Sequence, residues 1–295
     1  MKIGIAGLGR MGTAIAERLL EVGRDVVVWN RTPEKLAPVI AAGAEQANSP
    51  AELAKRADVV ITILTDAAAI DAVYHGSDGL LSTVLTNKLV IDMSTVQPET
   101  EIRLADDVRK AGAAFVECPV GGTTGPARTG KLIGLIGGEK QDIAHASPIL
   151  EQLCRRLDHV GPIGAGASMK LAINLPLLVF YQALGEAYSL CRHIGLDPAP
   201  MMDIFADSSG GANVLKVRSR AIAQALTGEE FIAPSFDIDS IRKDLRTMLA
   251  EAKIRGIELP LVERTLAIYD EASNSGWGQR DGSSIPAYWA TRSSS

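Results

Sequence analysis

Residues 2–12 read KIGIAGLGRMG, a short apolar run followed at once by three glycines in the spacing GxGxxG. The apolar run predicts a buried strand, and the amphipathic pattern that continues to Gly23 predicts a helix. Gly7 suits a tight turn, Gly9 admits a phosphate close to the backbone, and Gly12 lets the helix pack closely on the strand. Free amides at a helix start bind diphosphate. The segment therefore predicts a dinucleotide site formed by Gly7, Leu8, Gly9, Arg10, Met11 and Gly12.

The second predicted strand, residues 25–29, ends about 20 residues beyond the glycines, where a dinucleotide places its ribose. Proteins that prefer NAD usually have a carboxylate there, whereas this chain has Asn30, Arg31 and Thr32. A guanidinium binds a ribose 2′-phosphate through charge-assisted hydrogen bonds, and a threonine hydroxyl adds another. The alternative for Arg31 is a solvated loop charge. We predict NADP(H) as the cofactor, held by these three residues and by Leu64, the last residue of predicted strand 59–64.

Composition and charge narrow the class of protein. A length of 295 residues, 46% apolar and 22% charged, is typical of about two soluble globular domains. A net charge of −5 without a basic stretch disfavours nucleic-acid binding. The spacing of the cysteines and histidines predicts no disulfide framework, no metal site and a reducing compartment. These residues are Cys118, Cys154, Cys191, His75, His145, His159 and His193.

Two further features predict a cytoplasmic protein that makes no membrane contact. The first strand begins at residue 2, which leaves no room for a signal peptide. The most apolar stretch, residues 171–184, is interrupted by Asn174, Pro176 and Gln182, and we expect it to be too short to span a bilayer.

The alternation of apolar runs and helical patterns predicts an α/β, Rossmann-type domain over residues 1–162, with a mostly parallel sheet covered by helices on both faces. The predicted strands are 2–6, 25–29, 59–64, 89–92, 114–117 and 132–136, and the predicted helices include 33–42, 50–56 and 100–111. Residues 163–295 read as an all-helical domain. A long helix over 167–194, kinked at Pro176, joins the two. Further helices are predicted at 198–206, 214–226, 239–255 and 260–274.

Ser94 and Thr95 come directly after the predicted strand 89–92. Ligands of open α/β sheets bind beyond the carboxyl ends of strands, so both hydroxyls are predicted to face the cleft. The alternative is that one of them caps the helix beginning near Pro98. We expect Ser94 to contact the substrate.

Residues 117–125, ECPVGGTTG, also follow a strand. A run of small residues exposes successive amide groups, which together form an anion-binding nest. Such a nest suits a substrate carboxylate, and the alternative is a flexible surface loop. No basic partner for Cys118 is evident, so we expect its thiol to be buried and inert.

Lys170 and Asn174 are the sharpest catalytic candidates, because their spacing places them on one face of the long helix. That face continues through Leu178 and is otherwise apolar. A lysine there loses solvation, so its pKa falls and it can donate a proton near neutral pH. The alternative is a surface lysine whose ammonium reaches solvent. Residues 241–245, IRKDL, read by themselves as an exposed charge cluster.

In this order, these segments resemble the β-hydroxyacid dehydrogenases, which include 3-hydroxyisobutyrate dehydrogenases and glyoxylate/succinic semialdehyde reductases. The resemblance covers nearly the whole chain, through GLGRMG, NRT, DMSTVQP, ECPVGGTTGPARTGKL, KLAIN, KDL and GWGQRDGSS. It implies that Lys170 is the proton donor and acceptor and that Asn174 binds the substrate. It also implies that the helical domain, residues 163–295, binds substrate and pairs the subunits into a homodimer or homotetramer. The remaining implied contacts are Thr95 near the nicotinamide, Lys243 on the cofactor, Gly121, Gly122 and Thr123 on the carboxylate, and Phe236 lining the pocket with Leu175 and Leu178.

Two departures from the usual pattern concern the substrate. Relatives usually have Ser-Gly-Gly after Pro-Val, whereas this chain has Gly121, Gly122 and Thr123. Sulfolactaldehyde reductases carry Gly and then an Arg-Thr pair, so Gly122 removes the sulfonate-binding arginine. Pro176 stands where relatives usually have a residue compatible with a straight helix.

The sequence therefore predicts an NADPH-dependent reductase of a small aldehyde or keto acid that carries a carboxylate. One alternative is an imine reductase or reductive aminase on the same fold, although such enzymes usually replace the lysine. The other is a non-catalytic, cofactor-sensing or interaction protein.

Overall fold

The computed structural model describes residues 1–229 and 233–292, and its chain divides into two compact units, Met1–Lys170 and Leu171–Ser295. The division falls inside a long helix, whereas the domain boundary predicted after residue 162 lies before that helix begins.

The first unit is built on one sheet, in the order β3-β2-β1-β4-β5-β6-β8-β7, with β9 paired to β8. β8 is antiparallel to β6 and β7, and the other pairings are parallel. The predicted mostly parallel, Rossmann-type sheet is thus confirmed. The strands are β1 (Lys2–Ala6), β2 (Asp25–Trp29), β3 (Glu45–Gln46), β4 (Val59–Thr62), β5 (Leu89–Asp92), β6 (Ala114–Glu117), β7 (Val120–Gly121), β8 (Leu132–Gly138) and β9 (Cys154–Gly161).

Two apolar cores flank this sheet, one on each face. Ile3 and Ile5 of β1 join a core with the helices α1 (Arg10–Glu21) and α7 (Lys140–Leu153). The opposite face of the sheet packs against α3 (Pro50–Arg56), α4 (Ala67–His75) and α5 (Pro98–Lys110). Central parallel strands are buried on both faces, which is why VVIT of β4 is apolar almost throughout rather than alternating. The helices of this unit are α1 (Arg10–Glu21), α2 (Ala37–Ala41), α3 (Pro50–Arg56), α4 (Ala67–His75), α5 (Pro98–Lys110), α6 (Thr124–Arg128) and α7 (Lys140–Leu153).

Some boundaries and elements differ from the sequence prediction. The helix predicted at 33–42 is a 3₁₀ turn, Pro33–Leu36, followed by α2, and the strand predicted at 59–64 ends at Thr62. The helices α4 and α7 and the strand β9 were not predicted from the sequence. β9 carries Arg155, Arg156 and Asp158, so it lacks an apolar run, and its pairing with β8 supplies what its sequence does not.

The second unit consists of helices in its described residues, apart from an isolated β-bridge between Asp237 and Asp281. This confirms the all-helical prediction. α8 runs through Pro176, and its last turn passes into a 3₁₀ turn that ends at Gly195, whose φ is 75°. The helices are α8 (Ala165–Cys191), which begins in the first unit, α9 (Pro198–Asp207), α10 (Leu215–Leu226), α11 (Ile238–Arg255), α12 (Pro260–Ala272) and α13 (Ile285–Arg292).

By length and composition alone, the helical stretch Ala165–Ile194 could cross a membrane, so the prediction that this region is too short was wrong. The core helix of a soluble protein passes the same test. Leu171, Leu178 and Leu184 of α8 are buried in the apolar core of the second unit, as in such a helix.

Asp281 anchors the segment that precedes α11. Its carboxylate accepts hydrogen bonds from the amides of Ser235 at 2.8 Å and Phe236 at 3.3 Å, and from the Ser283 hydroxyl at 2.6 Å. Arg218 lies 3.9 Å away. Burial alone would raise the pKa of Asp281, but the bonds from Ser283 and the charge of Arg218 outweigh it and hold the pKa below its ordinary value.

Asp281→Asn is expected to destabilise the protein by about 2–3 kcal/mol, because an amide cannot accept from every donor and leaves buried N–H or O–H groups unpaired. Since the pKa of Asp281 is lowered, its contribution is present above the ordinary pKa and is lost as pH falls through the lowered value. Urea unfolding at neutral pH measures the change.

The matched control is Asp203→Asn, which neutralises an exposed carboxylate on α9. It is expected to change stability by less than about 0.5 kcal/mol. Equal midpoints for the two variants would contradict the anchoring role of Asp281.

Candidate active site

The glycine loop between β1 and α1 has the geometry that its spacing predicts. Gly7 adopts φ 105°, and a Cβ there would lie 2.3 Å from the Ile63 carbonyl oxygen. A Cβ at Gly12 would lie 1.9 Å from the Gly7 carbonyl oxygen, so only glycine lets α1 start this close to β1. Around Gly9, by contrast, no described heavy atom lies within 4 Å of a Cβ. The first turn of α1 therefore presents its amides to open space, which fits a diphosphate.

Asn30, at the end of β2, joins the glycine loop to the turn that follows. Its Oδ1 accepts from the Leu8 amide at 2.9 Å, and its Nδ2 donates to the Thr32 carbonyl at 2.8 Å. Arg31 and Thr32 are exposed beside it, and Arg31 forms no ion pair with a described residue. The turn thus holds a guanidinium next to the loop without a carboxylate partner.

Polar groups from β4 and β5 meet at the same edge of the sheet. The Ser94 hydroxyl accepts from the Leu64 amide at 2.9 Å, and Leu64 contacts the position of Gly7. Ser94 is 2% exposed, while Thr95 is partly exposed. α5 begins at Pro98 with Gln97 as its N-cap, so neither hydroxyl caps it. The structure therefore brings Leu64 and Ser94 to the glycine loop.

The segment after β6 contains more regular structure than was predicted, namely the strand β7 and the helix α6. Gly121 belongs to β7 and pairs with Ile133 of β8, so it is part of a ladder rather than of an open nest. Gly122, at φ 122°, and Thr123, the N-cap of α6, form the short connection that remains. Gly122 and Thr123 therefore remain outside the strand and the helix as the candidates for the predicted nest.

Lys170 and Asn174 lie one turn apart on α8 and are both buried, at 8% and 6% exposure. Asn174 donates from Nδ2 to Oδ2 of Asp244 at 3.0 Å, and the other oxygen of Asp244 pairs with the Lys243 ammonium. Asp244 thus fixes the orientation of the Asn174 side-chain amide. Within the second unit, Asn174, Lys243 and Asp244 form one polar cluster.

The residues predicted to line the pocket have different surroundings. Phe236 is partly buried, and the hydrogen bonds of its backbone to Asp281 and Gly282 fix its position. Leu175 is also partly buried. Leu178 is fully buried in the core of the second unit and offers no surface to a ligand, so its assignment to the pocket is not supported.

The two buried cysteines are poorly suited to catalysis. Burial raises the pKa of the Cys118 thiol well above its usual range and that of Cys154 to about 12, which makes both poor nucleophiles. Among the described residues, no group of His, Cys, Asp or Glu is arranged to hold a metal ion.

Two buried carboxylates at these positions were not assigned a role from the sequence. Asp244 is 70 residues from Asn174, and Glu117 lies 49 and 50 residues from the α8 amides that it binds. The sequence signal was a charged residue at the end of an apolar run for Glu117 and a charge cluster on a predicted helix for Asp244, and neither signal reveals the partner. Long-range contacts of this kind require the fold.

Two family models cover the chain. The NAD binding domain of 6-phosphogluconate dehydrogenase matches residues 2–161, and the NAD-binding domain of NADP-dependent 3-hydroxyisobutyrate dehydrogenase matches residues 164–289. Both describe nicotinamide-dinucleotide enzymes, in agreement with the glycine loop.

Known proteins similar to this chain carry related names. A 3-hydroxyisobutyrate dehydrogenase of Pseudomonas aeruginosa is 34% identical over 88% of each chain. Glyoxylate/succinic semialdehyde reductase 1 of Arabidopsis thaliana is 31% identical over 97% of each. The structure of Psf3 in complex with NADP+ and 2-OPP has a TM-score of 0.86 at 28% identity and covers 98% of this chain and 99% of that one.

A reductive aminase from Aspergillus terreus is less similar, with a TM-score of 0.65 at 22% identity over 98% of this chain and 99% of that one. At that identity it shares the fold alone. The glycine loop, both family models and relatives above 30% identity agree. The chain belongs to the β-hydroxyacid dehydrogenase family and is an NAD(P)-dependent oxidoreductase that acts on CH–OH groups.

Proposed function

We propose that this protein reduces a small aldehyde or keto acid bearing a carboxylate, with NADPH as the reductant and Lys170 as the general acid. The observation that carries the proposal is the buried pair Lys170 and Asn174 on α8, with Asn174 held by Asp244. Burying an amine and an amide one turn apart in an otherwise apolar face costs free energy that hydrogen bonds must offset, and sequences that break the apolar pattern in this way commonly do so at functional sites.

The preference for NADPH rests on the turn at residues 30–32. Arg31 is exposed beside the glycine loop and has no carboxylate partner among the described residues. Its guanidinium would bind the 2′-phosphate, with the Thr32 hydroxyl as a second donor. Asn30 holds this turn against the loop, so the two halves of the cofactor site are fixed relative to each other.

Lys170 acts on the substrate oxygen in this proposal. When bound, the dinucleotide would be the source of the hydride that the carbonyl carbon accepts. The Lys170 ammonium donates its proton to the oxygen that becomes negative, and in the reverse direction the neutral amine accepts it. Asn174 holds the substrate in place through its side-chain amide, which can both donate and accept hydrogen bonds.

The substrate carboxylate is assigned to Gly122 and Thr123. The connection between β7 and α6 offers backbone amides and a hydroxyl rather than a fixed cation, which suits a carboxylate better than a sulfonate or phosphate. Phe236 supplies an apolar wall for a chain of three or four carbons. From the family resemblance we also expect a homodimer or homotetramer.

Lys170→Ala is expected to lower kcat by about 10²–10⁴-fold, the usual cost of removing a positioned general acid, with NADPH affinity unchanged. Lys170→Arg keeps the charge but cannot release a proton near neutral pH, so its kcat should fall similarly. Turnover assays and cofactor titration by fluorescence measure the two quantities. Wild-type turnover in Lys170→Ala would refute the assignment of the acid.

Arg31→Asp is expected to raise the Kd for NADPH on the order of 10- to 100-fold and to leave that for NADH nearly unchanged, because it replaces a charge-assisted bond by repulsion. Lys55→Asp is the matched control, since it makes the same change of charge on an exposed side chain of α3. Equal affinity of the wild type for NADH and NADPH would contradict the proposal.

Succinic semialdehyde and glyoxylate are both expected to be reduced, since a hydrophobic wall discriminates one methylene by only about 1–3 kcal/mol. Butanal has the same number of carbons as succinic semialdehyde but no carboxylate. Its kcat/KM should be lower than that of succinic semialdehyde by at least about tenfold. A preference for butanal would refute the carboxylate site. Preference for a cyclic imine would favour the reductive aminase alternative, and inertness toward the whole panel would favour a non-catalytic role.

A further inference from the structure

Glu117, the last residue of β6, is completely buried and binds the start of α8. Its Oε1 accepts from the Gly166 amide at 2.9 Å and its Oε2 from the Ala167 amide at 3.1 Å. These amides belong to the first turn of the helix and have no partner within it. A carboxylate at a helix N-terminus also interacts favourably with the helix dipole. All of these residues lie in the first unit.

Two glycines make room for this carboxylate. Gly137 of β8 is paired directly with Glu117, and a Cβ there would lie 2.1 Å from Oε1. A Cβ at Gly166 would lie 3.1 Å from the carboxyl carbon. The side chain therefore occupies a space that any larger residue at Gly137 would close, which makes its contact with α8 a specific fit.

The contact lies between two parts of the candidate site. In an α-helix the amide of residue i donates to the carbonyl of residue i−4, so the Gly166 carbonyl receives the Lys170 amide. The peptide group between Gly166 and Ala167 thus donates its N–H to Glu117 and accepts the Lys170 amide at its carbonyl oxygen. Gly122 and Thr123, to which the substrate carboxylate is assigned, follow Glu117 within a few residues of the chain.

Other acids surround Glu117. Asp92 ends the adjacent strand β5 and is paired with Glu117, and Glu101 of α5 is also close enough to act on its charge. Cys118 follows it in the chain, while β8 and residues 162–169 contain no titratable side chain. Burial raises the pKa of Glu117 to about 7, with Asp92 adding to the rise, although the amides of Gly166, Ala167 and Gly164 oppose it.

We propose that Glu117 is a positioning residue, whose ionised carboxylate fixes the first turn of α8 and thereby places Lys170 for proton donation. The proposal rests on the function proposed for Lys170. The ionised carboxylate accepts both amides at once. When protonated, it presents a hydroxyl to one of them and loses an acceptor, so the turn loosens. Activity therefore falls as pH decreases through the pKa of Glu117, near neutrality.

The test measures kcat against pH together with hydrogen exchange of the amides of residues 165–170, corrected for intrinsic rates. In the wild type, kcat should decline below about pH 7, and exchange in this turn should be about tenfold faster at pH 6 than at pH 8. Glu117→Gln should exchange about tenfold faster at pH 8, with a correspondingly lower kcat that no longer declines toward pH 6. Its KM for NADPH should equal that of the wild type. Glu117→Asp should keep the decline, because it keeps the charge.

Ser49→Ala is the matched control, because it removes the N-cap of a different helix, α3, in the same unit. It should lower the melting temperature without changing the pH profile of kcat or the exchange of residues 165–170. If Glu117→Gln does not fold, the pH dependence of exchange in the wild type decides the question without a variant.

The outcomes separate the two proposals. Unchanged exchange of residues 165–170 between pH 6 and pH 8, or in Glu117→Gln at pH 8, overturns the role of Glu117 whatever Lys170 does. Faster exchange together with wild-type turnover in Lys170→Ala overturns the function of Lys170 and leaves the contact of Glu117 with α8 established.

Discussion

The close approach of α1 to β1 is the constraint on which the rest of the first unit depends. A Cβ at Gly12 would lie 1.9 Å from the Gly7 carbonyl oxygen, so the helix can begin at this point only without a side chain. Because β1 lies between β2 and β4, the residues after those strands reach the loop directly. Asn30 from β2 binds the Leu8 amide, and Leu64 after β4 contacts Gly7. Because Gly12 has no side chain, α1 begins close to β1, and the residues after β1, β2 and β4 lie together near its first amides.

The strands β5 and β6 place two buried carboxylates at the same edge of the sheet. β5 and β6 end in Asp92 and Glu117, which are paired and fully buried. Burial raises the pKa of both, so each carboxylate costs stability relative to an apolar residue. Each also holds backbone in place, Asp92 through the Ser94 amide and Glu117 through the start of α8. The unfavourable charges lie where the backbone must be placed most accurately for a ligand, as is usual for functional sites.

Local signals predicted much of this protein correctly. The glycine spacing, the apolar strands and the i, i+4 pair on α8 each depend on a few neighbouring residues, and the sequence contains that information directly. β9 was missed because Arg155, Arg156 and Asp158 hide a strand that pairing with β8 stabilises. The ladder at Gly121 was missed for the same reason, since it depends on β8 rather than on the glycine itself. Elements defined by their partners cannot be read from their own composition.

The same distinction separates the proposed chemistry from the proposed substrate. The proposed proton donor and its neighbouring amide lie on one helix, whereas the wall of a pocket is assembled from distant segments. Asn174 is fixed by Asp244, and Phe236 is fixed by Asp281, with no residue shared between these two contacts. The segment that carries Phe236 can therefore change in sequence, and the substrate preference with it, while Asn174 keeps its orientation. Separate anchors of this kind let one fold retain a reaction while the compounds it accepts diverge.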